Sequence, residues 1–122
     1  MPKIAIIEDD MAISQMYRFK FEAEGFDVQT AENGVVGLEL IEAMKPEIIL
    51  LDLMMPEMNG DEMLHLLRKT SWGKDIKVIV LTNMGEQEIP EGLRALNVSA
   101  VILKADMTPR QVAELVKKQL AS

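Results

Sequence analysis

The sequence predicts an α/β domain with a doubly wound, five-stranded parallel sheet and helices on both faces. Two observations support this fold class: short apolar runs alternate five times with segments of helical periodicity, and residues 48–51 form an uninterrupted apolar run. Such a run is typical of a strand that is covered on both faces. Strands that alternate with helices form parallel sheets through right-handed crossovers, which place helices on both faces.

Most of the predicted strands are apolar runs that end at a polar residue or a turn signal. They cover residues 4–7, 26–30, 48–51, 78–82 and 101–103. Periodicity does not fix the order of these strands in the sheet. Among the doubly wound arrangements, the flavodoxin-like order 2-1-3-4-5 fits five strand–helix units best.

The predicted helices begin and end at recognisable signals. Asp10 is expected to cap the first helix, and Gly25 ends it because glycine tolerates a positive φ. Asn33 marks the entry to the second helix, and Pro46 stops it because the residue before proline is disfavoured in the helical region.

Two later helices have the spacing of a cap and its reciprocal partner. Asn59 and Glu62 stand three residues apart at the start of the third helix. Thr108 and Gln111 have the same spacing at the start of the last helix, with Pro109 in its first turn.

Composition limits the possible functions. The length of 122 residues suits one domain, which we expect to span residues 1–122. The net charge of −7 argues against direct nucleic-acid binding through a basic face. The absence of cysteine excludes disulfides, thiolate metal sites and cysteine nucleophiles. The N-terminal apolar run is too short for a signal peptide or a membrane span, so we expect a cytoplasmic protein without a membrane segment.

Four of the five predicted strands deliver polar or charged residues to one edge of the sheet. Glu8 and Asp9 follow the first strand, Asp52 follows the third, Thr82 ends the fourth and Lys104 follows the fifth. Ligands of open α/β sheets bind at this carboxyl edge. Three acids gathered there would repel one another or recruit a cation, and their hard oxygen ligands suit Mg²⁺.

The same set of residues suits phosphoryl transfer. An aspartate can act as a nucleophile and form an acyl phosphate. A lysine ammonium and a threonine hydroxyl can each donate a hydrogen bond to a phosphoryl oxygen. Phosphoryl transfer depends mainly on positioning and charge neutralisation, which these groups can supply.

Four sequence blocks resemble the signature blocks of receiver domains of two-component response regulators, including those of chemotaxis regulators. The resemblance covers residues 3–121, and the blocks occur in the family's order. They are Ile6–Asp10, Leu50–Pro56 followed by Asn59 and Gly60, Leu81–Asn83, and Leu103–Lys104.

The resemblance implies a role for each residue at the carboxyl edge. Asp52 is the implied phosphoacceptor and also a ligand of Mg²⁺. Asp9 would bind Mg²⁺ directly, Glu8 would act through a bound water, and the backbone carbonyl of Met54 would complete the protein's share of the metal shell.

The resemblance also implies that Thr82 contacts the phosphoryl group and that Lys104 binds a phosphoryl oxygen. The implied donor is a sensor histidine kinase or a histidine phosphotransfer domain, and an unidentified downstream protein receives the signal. The chain would catalyse only its own phosphorylation and dephosphorylation. It would be a monomer, with dimerisation upon phosphorylation as a further option.

Phosphorylation is expected to change the surface formed by the loop after the fourth strand, the next helical stretch and the fifth strand. That stretch, about Glu86 to Leu96, is the weakest predicted helix because it contains Pro90 and Gly92. A weak helix suits an element that changes conformation.

Three features depart from the family pattern. Ala105 stands where receivers usually carry a proline, so we expect a trans peptide after Lys104. Val101 stands where many receivers carry a switch aromatic. Met54 and Met84 occupy the two positions that tune hydrolysis of the aspartyl phosphate, and two apolar residues there predict slow self-dephosphorylation.

Two alternatives belong to other functional classes. A receiver-like interaction module that is not phosphorylated is compatible with Val101 and Ala105. A Mg²⁺-dependent phosphohydrolase with an aspartyl nucleophile would need a second acid two residues after Asp52 and a cap that defines the substrate. The chain has Met54 at that position and no spare length for a cap.

Overall fold

The computed structural model describes residues 1–83, 89 and 91–121. Five parallel strands form one sheet in the order β2-β1-β3-β4-β5, which confirms the predicted fold and strand order. The strands are β1 (Lys3–Ile7), β2 (Asp27–Ala31), β3 (Ile48–Asp52), β4 (Lys77–Thr82) and β5 (Ala100–Leu103).

The described helices alternate with the strands. The α-helices are α1 (Met11–Ala23), α2 (Gly34–Met44), α3 (Gly60–Arg68) and α4 (Pro109–Ala121). Between β4 and β5 the described element is a 3₁₀ helix over Glu91–Leu96, so the predicted α-helix is wrong for this part of the stretch. Residues 84–88 and Pro90, which include the earlier part of that prediction, lie outside the described residues. No helix in the described part of the chain is long and apolar enough to cross a membrane.

The predicted helix caps are confirmed by their hydrogen bonds. The Asn33 side chain accepts a hydrogen bond from the Val36 N–H, and the Asn59 side chain accepts one from the Glu62 N–H. At the start of α4, the Gln111 side chain accepts from the Thr108 N–H at 2.8 Å, while the Thr108 hydroxyl accepts from the Gln111 N–H at 3.2 Å. These contacts satisfy N–H groups that have no partner within the helix.

The register of the sheet brings the ends of the strands together. Ile7 lies opposite Leu51, Asp52 lies opposite Leu81, and Thr82 lies opposite Leu103. The residues that follow these positions therefore emerge at one edge. Backbone pairing alone therefore places the ends of the strands at one carboxyl edge of the sheet.

Two hydrophobic cores cover the two faces of the sheet, because successive side chains of a strand point to opposite sides. One core joins the sheet to α1 and α4 and contains Phe21, Tyr17 and Val116. The other joins it to α2 and α3 and contains Ile41 and Met63. All five residues of β3 are buried, as expected for the central strand of a covered sheet.

Arg68, the last residue of α3, connects three separate segments of backbone. Its guanidinium donates hydrogen bonds to the carbonyl oxygens of Gly73 at 2.9 Å and Ile76 at 2.8 Å, in the loop before β4. It also donates to the carbonyl oxygens of Leu96 at 2.7 Å and Asn97 at 3.1 Å, at the end of the 3₁₀ helix. Arg68 therefore fixes the end of the 3₁₀ helix to α3 and to the start of β4.

We expect Arg68→Ala to lower the free energy of unfolding by about 2–4 kcal/mol, because it removes charge-assisted hydrogen bonds and leaves several carbonyl oxygens without their donor. Arg68→Lys should give an intermediate loss, since one ammonium cannot make all the hydrogen bonds to both acceptor segments. Urea denaturation monitored by circular dichroism measures both values.

Arg110→Ala is the matched control for the Arg68 variants. Arg110 has an 80% exposed side chain whose ion pair with Glu114, one helical turn away, is open to solvent. Its removal should change the free energy of unfolding by less than about 0.5 kcal/mol. Equal losses for the two arginines would show that the carbonyl contacts of Arg68 contribute nothing beyond a surface charge.

Candidate functional site

Three carboxylates converge at the carboxyl edge of the sheet. Glu8 follows β1 and is 3% exposed, and Asp52 ends β3 and is 5% exposed. Asp9, which follows Glu8, is exposed. One carboxylate oxygen from each of these acids lies within 4.8 Å of the others. The acids of the predicted site are thus brought together, with two of them largely removed from water.

Lys104 supplies the positive charge between the two buried acids. Its backbone N–H donates to the Thr82 carbonyl at 2.8 Å, which holds it beside the end of β4. Its Nζ lies 2.6 Å from Oε1 of Glu8 and 3.6 Å from Oδ2 of Asp52. Lys104 therefore binds Glu8 closely and contacts Asp52 at longer range.

The acidity of the site follows from burial and charge. Burial raises the pKa of Asp52 to about 7, and the nearby Glu8 carboxylate adds to the increase. The Lys104 ammonium and the Met54 N–H, which donates to Asp52 Oδ1 at 3.3 Å, act in the opposite direction. Burial alone would lower the pKa of Lys104, but its hydrogen bond to Glu8 and the charge of Asp52 raise it above the usual value.

Gly60 sets the path of the loop that follows Asp52. The Gly60 N–H donates to the Leu53 carbonyl at 2.9 Å, which turns the chain back onto the end of β3. A Cβ atom at Gly60 would lie 2.2 Å from the Asp52 carbonyl oxygen. No other amino acid fits there without displacing the backbone of Asp52, so glycine at this position protects the geometry of the carboxylate.

The three acids and Lys104 line an open cavity of about 190 Å³. Its remaining lining residues are Asp10, Ile13, Met54 and Asn83. Carboxylate and carbonyl oxygens are hard ligands, and Mg²⁺ typically takes one or two carboxylates together with waters and phosphate oxygens. The cluster of Glu8, Asp9 and Asp52 therefore has the donor chemistry that fits a Mg²⁺ ion.

Other predicted positions have mixed outcomes. Asp10 caps α1, as predicted, by accepting hydrogen bonds from Ala12 and Ile13 N–H groups at 2.9 and 3.2 Å. Thr82 is completely buried at the end of β4, while Asn83 beside it lines the cavity. The peptide between Lys104 and Ala105 is trans, as predicted.

Val101 and Met84 are the two other departures from the family pattern. Val101 packs against the core on the α2 and α3 side of the sheet. Its backbone lies opposite Val80 in the pairing of β4 with β5. Met84 lies outside the described residues.

Sequence reasoning missed one residue next to the site. Tyr17 lies on α1 and is 3% exposed, as a core residue of that helix would be. It also lines a cavity of about 10 Å³ together with Glu8 and Asp52. The sequence carries no signal for this second position, because only the packing of α1 on the sheet brings Tyr17 to the cavity that the acids line.

Comparison with known proteins gives consistent similarities. Residues 4–117 match the sequence profile of the response regulator receiver domain. The chain is 41% identical over 86 residues to the DNA-binding dual master transcriptional regulator RpaA of Synechocystis, covering 70% of this chain and 36% of that protein. It is 33% identical over 117 residues to the phosphate regulon transcriptional regulatory protein PhoB of Rhizobium meliloti, covering 94% of this chain and 51% of PhoB.

A solved structure shares nearly the whole fold. The receiver domain of the Francisella response regulator 1452 is 26% identical, with a TM-score of 0.88, over 99% of this chain and 98% of that one. The chain thus matches about a third to half of the length of the two regulators and almost the full length of this receiver structure.

We expect Asp52→Asn to stabilise the metal-free protein at pH 8 by about 4 kcal/mol, since each pKa unit corresponds to about 1.4 kcal/mol. Asp52 has a pKa of about 7 when folded, against an ordinary value of 3.8. Folding therefore loses stability as the pH rises from about 4 to 7, where the unfolded chain releases this proton and the folded protein keeps it. The gain from Asp52→Asn should vanish near pH 4. Urea unfolding with chelator at both pH values measures it.

Asp10→Asn is the control for the Asp52 variant, because Asp10 is an exposed cap that an asparagine replaces well. Its effect on the free energy of unfolding should be small at both pH values. A loss of stability in Asp52→Asn at pH 8 would contradict a destabilising buried carboxylate.

Proposed function

Because the chain belongs to the family of response regulator receiver domains, we propose that it is a phosphorylation-activated signalling switch whose phosphoacceptor is Asp52. The observation that carries the proposal is the convergence of three carboxylates within 4.8 Å, with the Lys104 ammonium 3.6 Å from Asp52. The chain acts as one receiver domain over residues 1–122, and it catalyses only its own phosphorylation and dephosphorylation.

Asp52 is the best-placed nucleophile of the three acids. Its backbone is fixed by the end of β3 and by the close return of Gly60. Its Oδ1 accepts a hydrogen bond from the Met54 N–H, and its Oδ2 is the oxygen closer to Lys104. A carboxylate held in this way presents a defined orientation to a phosphoryl donor that enters the cavity. Such positioning is the main requirement of phosphoryl transfer.

The reaction transfers a phosphoryl group from phosphohistidine. A carboxylate oxygen of Asp52 attacks the phosphorus while the bond between phosphorus and the donor's imidazole nitrogen breaks, and the product is an acyl phosphate. The Lys104 ammonium moves from Glu8 to a phosphoryl oxygen, and the Thr82 hydroxyl donates to a second one. Lys104 thereby balances part of the negative charge that the phosphoryl group adds.

The acids require a cation for this reaction because they repel one another and the incoming phosphoryl group. Asp9, Asp52 and the Met54 carbonyl would bind Mg²⁺, and Glu8 would hold one of its waters. When bound, Mg²⁺ supplies positive charge for the phosphoryl oxygens during transfer. The role of Glu8 and Asp9 is to place that charge beside Asp52.

The proposed partners follow from the chemistry. A sensor histidine kinase or a histidine phosphotransfer domain in the cytoplasm donates the phosphoryl group, and an unidentified protein receives the output. The responding surface is the segment after β4 together with β5, which Arg68 anchors at its 3₁₀ helix. Because Val101 replaces the usual aromatic, the change passes through Thr82 and the loop that follows it. The charge of −7 disfavours direct DNA binding by this chain.

Intact mass spectrometry after incubation with acetyl phosphate and Mg²⁺ tests the proposal. We expect one added phosphoryl group on the wild-type protein and on Asp10→Asn. The adduct should be absent from Asp52→Ala and from wild-type protein in chelator. The Asp10 variant is the matched control because Asp10 lines the same cavity but caps α1.

A second measurement separates a failed donor from a failed site. Mg²⁺-dependent binding of beryllofluoride, which mimics the phosphoryl group without a donor, should occur in the wild type and be lost in Asp52→Ala. If neither acetyl phosphate nor beryllofluoride modifies the protein, the chain is a receiver-like interaction module that is not phosphorylated.

The aspartyl phosphate should hydrolyse slowly because Met54, which is 61% exposed beside the site, cannot orient a water molecule. We expect Met54→Asn to shorten the lifetime of the adduct by about 10-fold, which corresponds to about 1.4 kcal/mol in the barrier. The decay of the phosphorylated mass after donor removal measures the lifetime. Met16→Asn, the same change at a 43% exposed position on α1, should leave it unchanged. An unchanged lifetime in the double variant Met54→Asn with Met84→Asn would contradict this explanation.

A further inference from the structure

Tyr17 occupies a buried position beneath the candidate site. It is the only tyrosine of the chain, lies on α1 and is 3% exposed. Its ring packs against Phe21 with centroids 6.4 Å apart. It also borders the small cavity of about 10 Å³ that Glu8 and Asp52 line. That space holds at most one water, and Tyr17 shares its lining with both acids.

The phenol hydroxyl interacts electrostatically with both Lys104 and Glu8, which form an ion pair with each other. Burial raises the pKa of Tyr17, the Lys104 ammonium acts to lower it and the Glu8 carboxylate acts to raise it. The hydroxyl therefore stays protonated at neutral pH and can donate a hydrogen bond. No hydrogen bond between this hydroxyl and another side chain is found within residues 1–83, 89 and 91–121.

Glu8 needs a new donor when the proposed switch operates. Its Oε1 accepts from Lys104 at 2.6 Å, and its Oε2 accepts from the Asp10 N–H at 3.3 Å. When Lys104 moves to a phosphoryl oxygen, Oε1 loses its donor in a position that is 3% exposed. A buried carboxylate oxygen without a donor is costly. Tyr17, which lines the same small cavity as Glu8, carries a neutral hydroxyl that can act as a donor.

We propose that Tyr17 is a positioning residue of the phosphoacceptor site, whose hydroxyl donates to Glu8 once Lys104 turns to the phosphoryl group. This inference rests on the proposed function. In the resting protein Lys104 holds Glu8; in the phosphorylated protein Tyr17 does, and Glu8 stays oriented toward the metal-bound water. A phenylalanine would fill the same space in the core, so only the hydroxyl distinguishes this role from ordinary packing.

Tyr17→Phe tests the role of the hydroxyl. Beryllofluoride binding in the presence of Mg²⁺, followed by isothermal titration calorimetry, should weaken by about 10- to 100-fold, the effect of one hydrogen bond to a charged group. The free energy of unfolding of the metal-free variant should match the wild type, because the hydroxyl has no such bond at rest. Equal beryllofluoride affinity in the two proteins would overturn the inference.

A double-mutant cycle shows whether Tyr17 acts through Glu8. Glu8→Ala removes the acceptor, so adding Tyr17→Phe to that variant should produce no further loss of beryllofluoride affinity. A further loss as large as in the wild-type background would show that the hydroxyl acts on another group, and the assignment to Glu8 would be wrong.

The unmodified protein provides a third measurement that does not depend on the folding of any Tyr17 variant. Labelling with ¹³Cζ-tyrosine gives a single resonance, since the chain has one tyrosine. We expect it to shift when Mg²⁺ and beryllofluoride bind together, and to stay in place in Glu8→Ala under the same conditions. A resonance that does not move when the wild type is saturated would overturn the role of Tyr17. Absence of any beryllofluoride binding by the wild type would instead overturn the proposed function.

Discussion

The central constraint of this structure is an acid at the end of a strand that is covered on both faces. β3 is buried along its whole length, and Asp52 closes it with 5% of its surface exposed. Ionising this carboxylate there is unfavourable, and its surroundings provide the compensation. Lys104 reaches toward Asp52 from β5, and Gly60 lets the following loop return without moving it. At this edge the sheet holds the charge of Asp52 in a buried position, and Lys104, which follows β5, balances it.

Much of the fold could be predicted because its signals are local. The continuous apolar run of β3, the cap of α1 at Asp10 and the reciprocal pair of Thr108 and Gln111 each depend on a few neighbouring residues. The strand order came from a general preference among doubly wound sheets rather than from any residue, and it holds. The helix expected over residues 86–96 is a 3₁₀ helix in its described part, which includes Gly92, a poor residue for an α-helix interior.

The sequence predicted which residues gather at the candidate site, but it did not predict the contacts between their side chains. Four strand ends at one edge brought Glu8, Asp52 and Lys104 together in the prediction, because parallel strands share that edge. The preference of Lys104 for Glu8 over Asp52 depends on side-chain distances of 2.6 and 3.6 Å, which no spacing in the sequence encodes. The positions of Tyr17 and Arg68 depend likewise on how α1 and α3 pack in three dimensions.

Because the two cores lie on opposite faces of the sheet, the residues of one core can be redesigned separately from those of the other. Ile4 and Ile6 of β1 belong to the core beneath α1 and α4, whereas Ala5 and Ile7 belong to the core beneath α2 and α3. Substitutions that share no partner tend to add in their effect on stability. One layer can therefore be repacked, or acquire new surface partners over evolutionary time, while the other keeps its arrangement. The sheet thus separates two groups of core residues whose substitutions should have largely independent effects on stability.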